Sequence, residues 1–271
     1  MATETIFGRL GDAVLLSTAA GGTAITTTEQ AILLADGMEY VELITRNYST
    51  AVVVQIGFAP WLTVLRTQDA LATAPTDYSA HAQGTAAGDV ILDSQDTAAN
   101  LDFLYVGSDR PFKGVIIDVD KVNGTASVLT VKYWTGSAWT DISDTDGTAS
   151  GGASLAQDGI VNWTVPSDWA KDDLQDIGDV ASSARLAETT APRYWTRWEF
   201  SAAIDSEVEL VSMVAQQEFT EIELPTGAIK EFRVQKGPGK FGGLCVETDA
   251  GTANLIVNAY NFDARLELGA V

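Results

Sequence analysis

Ser127-Val-Leu-Thr-Val-Lys-Tyr-Trp134, running through Thr135-Gly-Ser-Ala138 into Trp139-Thr-Asp-Ile142, is the stretch on which the fold turns. Side chains alternate across a strand, so Leu129, Val131 and Tyr133 share one face and Val128, Thr130, Lys132 and Trp134 the other, with β-branched and aromatic residues throughout. The Gly-containing tetrapeptide is a turn, and Tyr133 to Ile142 reads as a β-hairpin. Outward from it, the same alternation predicts strands at Phe103 to Val106, Gly114 to Asp120, Ile160 to Val165, Tyr194 to Ser201 and Glu207 to Met213. Turn clusters separate them: Gly107-Ser-Asp-Arg-Pro111, Asn123-Gly-Thr125 and Asp144-Thr-Asp-Gly-Thr-Ala-Ser-Gly-Gly152. Short strands at this spacing, with almost no long segment of helical period, predict an all-β chain whose centre is an antiparallel β-sandwich or jelly roll. Helix is expected only as a short turn within Pro166 to Leu174, capped by Ser167 or Asp168, and as a weaker candidate at Thr28 to Leu34.

Six of the seven tryptophans (134, 139, 163, 169, 195, 198) fall in the middle of the chain, which therefore has its own aromatic core. Met38 to Phe58 reads as two strands around Asn47-Tyr-Ser-Thr50. The segment from Ile229 onward reads as three or four strands around Gly237-Pro-Gly239 and Asp249-Ala-Gly251. A β tail of about 55 residues struggles to bury a sufficient core alone, so the flanks are expected to pair, either with each other or with neighbouring copies of the chain. The first option makes the centre an insert in a second β domain built from the N- and C-terminal flanks. The expected organisation is an extended N-terminal arm (1–30), the N-terminal part of a β base domain (31–89), the central β-sandwich (90–215) and the C-terminal part of the base (216–271). The stretch Thr3 to Thr28, rich in small residues and without an amphipathic face, is expected to gain order by lying on a neighbour.

The 271 residues include 16 Lys+Arg against 37 Asp+Glu, a formal charge of −21 and a pI near 4.1. Such a surface repels phosphate, which argues against nucleic acid as a partner. A chain this size hides roughly 70–75% of its unfolded surface, so it needs no staple, and the single Cys245 excludes an internal disulfide or a four-cysteine zinc site. Met1-Ala-Thr-Glu-Thr5 carries an acid where a signal peptide needs basic residues, and the apolar run Ala13 to Leu16 is too short for an export or membrane segment. The expectation is a chain folded in a cytoplasm with no membrane partner. The sequons at Asn47, Asn123 and Asn162 then read as turn or strand chemistry.

The search for chemistry yields no catalytic, cofactor or metal set. His81, the one histidine, lies in the loop-like Asp77-Tyr-Ser-Ala-His-Ala-Gln-Gly84, and the chain has no Gly-x-Ser-x-Gly elbow. Asp141-Ile-Ser-Asp-Thr-Asp-Gly147 is oxygen-rich, but the helical calcium-loop pattern counted from Asp144 ends on Leu155 where an acid is required. Gly237-Pro-Gly-Lys-Phe-Gly242 matches a dinucleotide fingerprint literally, yet the following Gly243-Leu-Cys-Val-Glu-Thr248 reads as a strand rather than the helix that fingerprint needs. Glu221 and Glu223 sit two apart on an expected strand, a chance spacing in so acidic a chain. Two candidate interaction sets remain. Lys230, Arg233, Lys236 and Lys240 place 4 of the 16 basic residues in eleven positions, a candidate partner-binding cluster for an acidic protein or an acidic face of a neighbouring subunit. Trp134 and Trp139 are candidate glycan-stacking residues, although their positions at strand ends also suit hairpin packing.

Leu104-Tyr-Val-Gly-Ser-Asp-Arg-Pro-Phe-Lys-Gly114, Tyr133-Trp-Thr-Gly-Ser-Ala-Trp139, Asp146-Gly-Thr148, Gln157-Asp-Gly-Ile-Val-Asn-Trp-Thr-Val-Pro-Ser-Asp-Trp169 and Tyr194-Trp-Thr-Arg-Trp198, taken in order, resemble a β-sandwich module of virion structural proteins of tailed bacteriophages. The resemblance runs from roughly Leu101 to Ala215. It implies a non-enzymatic particle component, a capsid decoration or cement protein foremost and a tail fibre or baseplate component with glycan-binding activity as the alternative. It also implies a homo-oligomer, a trimer by analogy with the local three-fold positions of capsids, that contacts the major capsid protein or other virion proteins. The implied location is the virion, assembled in the host cytoplasm.

Overall fold

The computed structural model describes residues 22–34, 39–46, 52–68, 74–84, 86–178, 187–217, 224 and 227–260. Its strands are, in chain order, β1 (Thr23–Ile25), β2 (Gln30–Leu33), β3 (Tyr40–Arg46), β4 (Val54–Pro60), β5 (Thr63–Arg66), β6 (Thr76–Asp77), β7 (Val90–Ile91), β8 (Leu104–Ser108), β9 (Gly114–Lys121) and β10 (Leu129–Trp134). They continue with β11 (Trp139–Asp141), β12 (Thr145–Asp146), β13 (Gly159–Asn162), β14 (Lys171–Asp172), β15 (Arg193–Phe200), β16 (Glu209–Gln216), β17 (Ile229–Arg233), β18 (Phe241–Thr248) and β19 (Ala253–Tyr260). Two single-turn helices, α1 (Ser79–Ala82) and α2 (Leu174–Ile177), and two short 3₁₀ turns accompany them. The chain is all-β and divides into two compact units, Pro60–Gln217 and the joined flanks Met1–Ala59 with Glu218–Val271. Among the described residues no helix is long and apolar enough to cross a membrane.

In the flank unit the two ends of the chain interleave. One sheet has the order β1-β19-β3-β17 and the other β2-β18-β4, so strands from either flank alternate. Neither flank could close a sheet alone, and pairing within the chain is the arrangement realised. Val41, Leu43, Leu255 and Val257 of the first sheet share a buried cluster with Val54, Ile56, Leu244 and Val246 of the second, which makes this unit a sandwich.

The central unit has a seven-stranded sheet, β11-β10-β15-β8-β5-β6 with β14 on β15, and a five-stranded sheet, β12-β13-β9-β16-β7. Alternation is clearest on β15. Trp195, Arg197 and Glu199 share one face, where Trp195 packs with Leu65, Phe103, Tyr105 and Leu174, while Trp198 is buried on the opposite face.

Several expectations need correcting. The central unit starts at Pro60 rather than 90, because β5, buried along its whole length, pairs with β8. Arg66 at its end donates from Nε to Gln95 Oε1 at 2.8 Å and from Nη1 to Ile91 O at 3.0 Å, binding the 60–89 stretch to the central unit. Residues 22–30 do not form an arm, since Thr23 lies opposite Leu255 and Gln30 opposite Val246 within the same chain; residues 1–21 lie outside the described residues. The helix candidate at Thr28 to Leu34 is instead β2, because the free edge of β18 offers this short apolar run a ladder partner. The helical turn expected within Pro166 to Leu174 begins only at Leu174. Asp173 caps it, accepting from Gln175 N at 3.0 Å and Asp176 N at 2.8 Å, while Asp168 accepts the Tyr133 hydroxyl at 3.0 Å. His81 sits half-buried on α1 rather than in a loop; Asp77 Oδ1 starts that turn by accepting from Ser79 N at 2.8 Å.

Candidate interaction surfaces

The β10–β11 hairpin sets Trp134 directly opposite Trp139, because Thr135 N donates to Ala138 O at 3.0 Å to close the turn. Their ring centroids stand 5.5 Å apart. Trp134 is only 9% exposed and its Nε1 donates to Asp172 Oδ2 at 3.2 Å, so β14 covers it. Trp139 is half-buried. The Arg197 guanidinium, reaching from β15, lies 4.8 Å from the Trp139 ring and 4.4 Å from the Phe103 ring. Its Nη2 meets Glu199 Oε1 at 2.8 Å, and Lys132 Nζ meets Glu199 Oε2 at 2.8 Å. The two tryptophans therefore belong to a packed aromatic and charged array on one sheet face, with a cation against one of them, and not to a bare stacking platform. One polar group in the array, Trp139 Nε1, is buried with no acceptor among the described residues. The Tyr194-Trp-Thr-Arg-Trp198 sequence does not announce Arg197 as the residue that fills the array, because strand parity alone does not say which partners a face will meet.

The basic cluster is split by the pleat. Lys230, Arg233 and Lys240 are exposed, and no ion pair joins them to a described residue. Lys230 lies opposite Leu43 and Arg233 opposite Tyr40, so the two point to opposite faces of β17. Lys236 is half-buried, and its ammonium donates to the Leu34 carbonyl. What unites the three exposed cations is the edge: β17 ends its sheet, with no strand on its far side among the described residues. Ile229 on the same strand is 61% exposed.

A pocket of about 340 Å³ opens where the ends of β9, β13 and β16 meet β12; it is lined by Lys113, Ser143, Thr145, Asn162, Trp163, Thr164 and Gln216. Ser143 holds a left-handed backbone, φ 58°. In so acidic a chain this lining carries no carboxylate, and it offers hydroxyls, amides and an ammonium to a polar ligand. No sequence motif marks it, since its walls come from segments far apart in the chain.

The other singled-out motifs take structural roles. In the oxygen-rich loop, Asp141 Oδ1 accepts from Ser143 N at 2.7 Å, Asp144 Oδ1 from Val131 N at 2.9 Å and Asp146 Oδ1 from Thr148 N at 2.9 Å, so each carboxylate closes a different backbone turn. Burial, only partly offset by its backbone hydrogen bonds, raises the Asp144 carboxyl above its ordinary value. Gly237 to Gly242 is a tight loop, with Lys240 N donating to Gly237 O at 3.1 Å, leading into strand β18. Ser79, near His81, donates its hydroxyl to Asp77 and accepts from Val64 N at 3.0 Å, while His81 packs edge-to-face on Tyr78. Two carboxylate groupings escaped the sequence reading: Asp89, Asp120 and Glu209, and Asp172, Asp173 and Asp176. Lys121 pairs with Glu209 at 3.0 Å, and Asp173 is the α2 cap. Asn123 is 1% exposed and Asn162 borders the pocket; Asn47, Glu221 and Glu223 lie outside the described residues. Compared with protein-family models, curated proteins and solved structures, the chain matches none of them.

Proposed function

We propose that this chain is a non-enzymatic virion structural protein, a decoration or cement protein of a tailed-phage head, working as a symmetric homo-oligomer, a trimer in first instance. The observation that carries this reading is the ordered set of segments between Leu104 and Trp198. These segments are the framework of the central unit: β8 with its following turn, the β10–β11 hairpin, the β12 and β13 pair with Trp163 and Trp169, and β15. Two stacked-sheet units with exposed edges suit a protein whose work is contact.

The edge strand β17 is the surface assigned to that contact. A local run of cations on a chain of net charge −21 is attracted to acidic surface, whether on a capsid subunit or on a second copy, while the rest of the chain repels it. Mass measurement of the purified protein, with electron microscopy of heads with and without it, tests the reading. Binding to heads should weaken as salt rises, and Lys230→Glu with Arg233→Glu should weaken it by roughly tenfold or more at low salt, with the fold unchanged by circular dichroism. A stable monomer that never adds to heads, or density only at the tail tip, defeats the capsid assignment.

The second reading, a tail fibre or baseplate component that binds glycans, is favoured by the polar pocket around Lys113 and Asn162 rather than by Trp134 and Trp139. Glycan binding lost in Asn162→Ala would move the assignment there.

A further inference from the structure

Asn123-Gly124 is the one Asn-Gly pair in the chain. This dipeptide is the most prone to self-modification in an open polypeptide, because glycine has no side chain to hinder its backbone nitrogen from reaching the asparagine carbonyl carbon. In the folded protein the pair is closed on every side. Asn123 is 1% exposed. Its Nδ2 donates to Thr125 O and Ser154 O, each at 3.0 Å, and its Oδ1 accepts from Thr125 N at 3.0 Å and Asp205 N at 3.2 Å. The nucleophile is held as well: Gly124 N donates to Asp205 Oδ2 at 2.6 Å. The Thr125 hydroxyl donates to the other carboxylate oxygen of Asp205.

We propose that Asn123 is a deamidation site that the native fold holds shut, so that its modification records each opening of the loop formed by Asn123, Gly124, Thr125 and Asp205. Reaction requires Gly124 N to lose its proton and attack Asn123 Cγ. The new C–N bond closes a five-membered succinimide as the side-chain nitrogen, taking up protons, leaves as ammonia. Water then opens the ring at either carbonyl, giving aspartate or isoaspartate. No oxidant or reductant enters, and water is the only co-reactant. The fold opposes both early steps. A carboxylate accepting the Gly124 N–H disfavours its ionisation, and four hydrogen bonds fix the Asn123 amide away from the rotation that attack requires.

The modification also makes unfolding one-way. An acid at 123 has no Nδ2 to give to Thr125 O and Ser154 O, and it sets a second negative charge against Asp205 in a buried site. Isoaspartate further lengthens the main chain at this residue. This inference is independent of the virion assignment.

The test uses the full chain, incubated at mildly alkaline pH with and without urea, digested and read by mass spectrometry for the mass of amide-to-acid exchange and for isoaspartate at 123. The unfolded chain should modify at 123 at least roughly tenfold faster than the native protein, because the native rate is the open fraction multiplied by the unfolded rate. Gly124→Ala should slow the reaction in urea, since the added methyl hinders the nitrogen. A Cβ there would approach Asp205 Oδ2 to 3.2 Å, a contact that a small shift absorbs. Asp205→Ala should speed modification of the protein without urea. Equal rates in the native and unfolded chain, or faster modification at another asparagine in urea, would overturn the proposal.

Discussion

Replacing Gly107 by Ala measures how closely the central sheet is packed on Trp195. Gly107 lies directly opposite Trp195 across the β8–β15 ladder. A Cβ there would stand 2.3 Å from Cε3 of the indole, 2.6 Å from Cζ3 and 2.8 Å from Cδ2. Carbon atoms rest comfortably at about 3.5–4.0 Å, so the ring would have to retreat by more than about 1 Å. It has no room: Trp195 is fully buried among Leu65, Phe103, Tyr105 and Leu174, and its Nε1 donates to Asp172 O at 3.0 Å. Overpacking costs about 1–3 kcal/mol and loss of the hydrogen bond adds about 0.5–1.5, so Gly107→Ala should destabilise by about 2–4 kcal/mol. All seven tryptophans lie within Pro60–Gln217, which makes urea unfolding followed by tryptophan fluorescence a report on this unit alone. Trp195→Ala should itself cost about 3–5 kcal/mol. In that background the Gly107→Ala change should cost close to nothing, leaving a coupling of about 2–4 kcal/mol. A single variant within about 0.5 kcal/mol of the parent, or strict additivity of the pair, would refute the packing argument.

Two further predictions concern charge. Hydrogen bonds from the Thr125 hydroxyl and then Gly124 N hold Asp205 below the usual carboxylate range. A folded pKa below the unfolded one gives stability that is present above the unfolded value and is lost as pH falls through the folded one; urea midpoints measured from about pH 5 down to about pH 2 should show this loss, and Asp205→Asn should remove it. Asp118 has the opposite sign: partial desolvation, with the carboxylates of Asp158, Asp120 and Asp89, raises it, so its charge opposes folding above the folded pKa. Asp118→Asn should therefore raise the urea midpoint at neutral pH, more at low salt than at high salt, and an unchanged or lowered midpoint would remove this account.

The elements legible in the sequence are those with strict alternation. Leu129 to Trp134 and Arg193 to Phe200 each place bulky residues on both faces of a strand that is covered on both sides, and propensity and packing agree there. β5 was not legible: Thr63-Val-Leu-Arg66 is buried on every residue, so alternation is absent where the strand is most central. Gln30-Ala-Ile-Leu33 carries no strand signal of its own and takes its form from β18. For the candidate surfaces, the count of cations near Lys236 was readable but their separation needed a register: Lys230 and Arg233 are three apart, an odd step, which in a strand means opposite faces. The pocket was unreadable for a different reason. Lys113, Thr145, Asn162 and Gln216 meet only because β9, β12, β13 and β16 share a sheet, and no local window contains two of its walls.

The interleaved flanks also order the folding of the chain. The central unit is complete in sequence once Gln217 is made, and its pairings, such as Lys132 with Arg197 and Met213 with Ile117, close within it. In the flank unit, β3 finds its partners only after β17 and β19 exist, with Leu43 opposite Val257. Closing a loop of roughly two hundred residues is less prohibitive than its length implies, because each doubling adds only about 0.6 kcal/mol for a flexible chain. A folded insert shortens that loop further, since the residues between the flanks are then no longer flexible. The sequence is arranged accordingly: all seven tryptophans serve the unit that can fold first, while the flank unit is closed by many small pairings of Val, Leu and Ile. Until those pairings form, the edges of β2, β3 and β4 stand open, and the acidic residues that dominate the chain keep such open chains apart by repulsion.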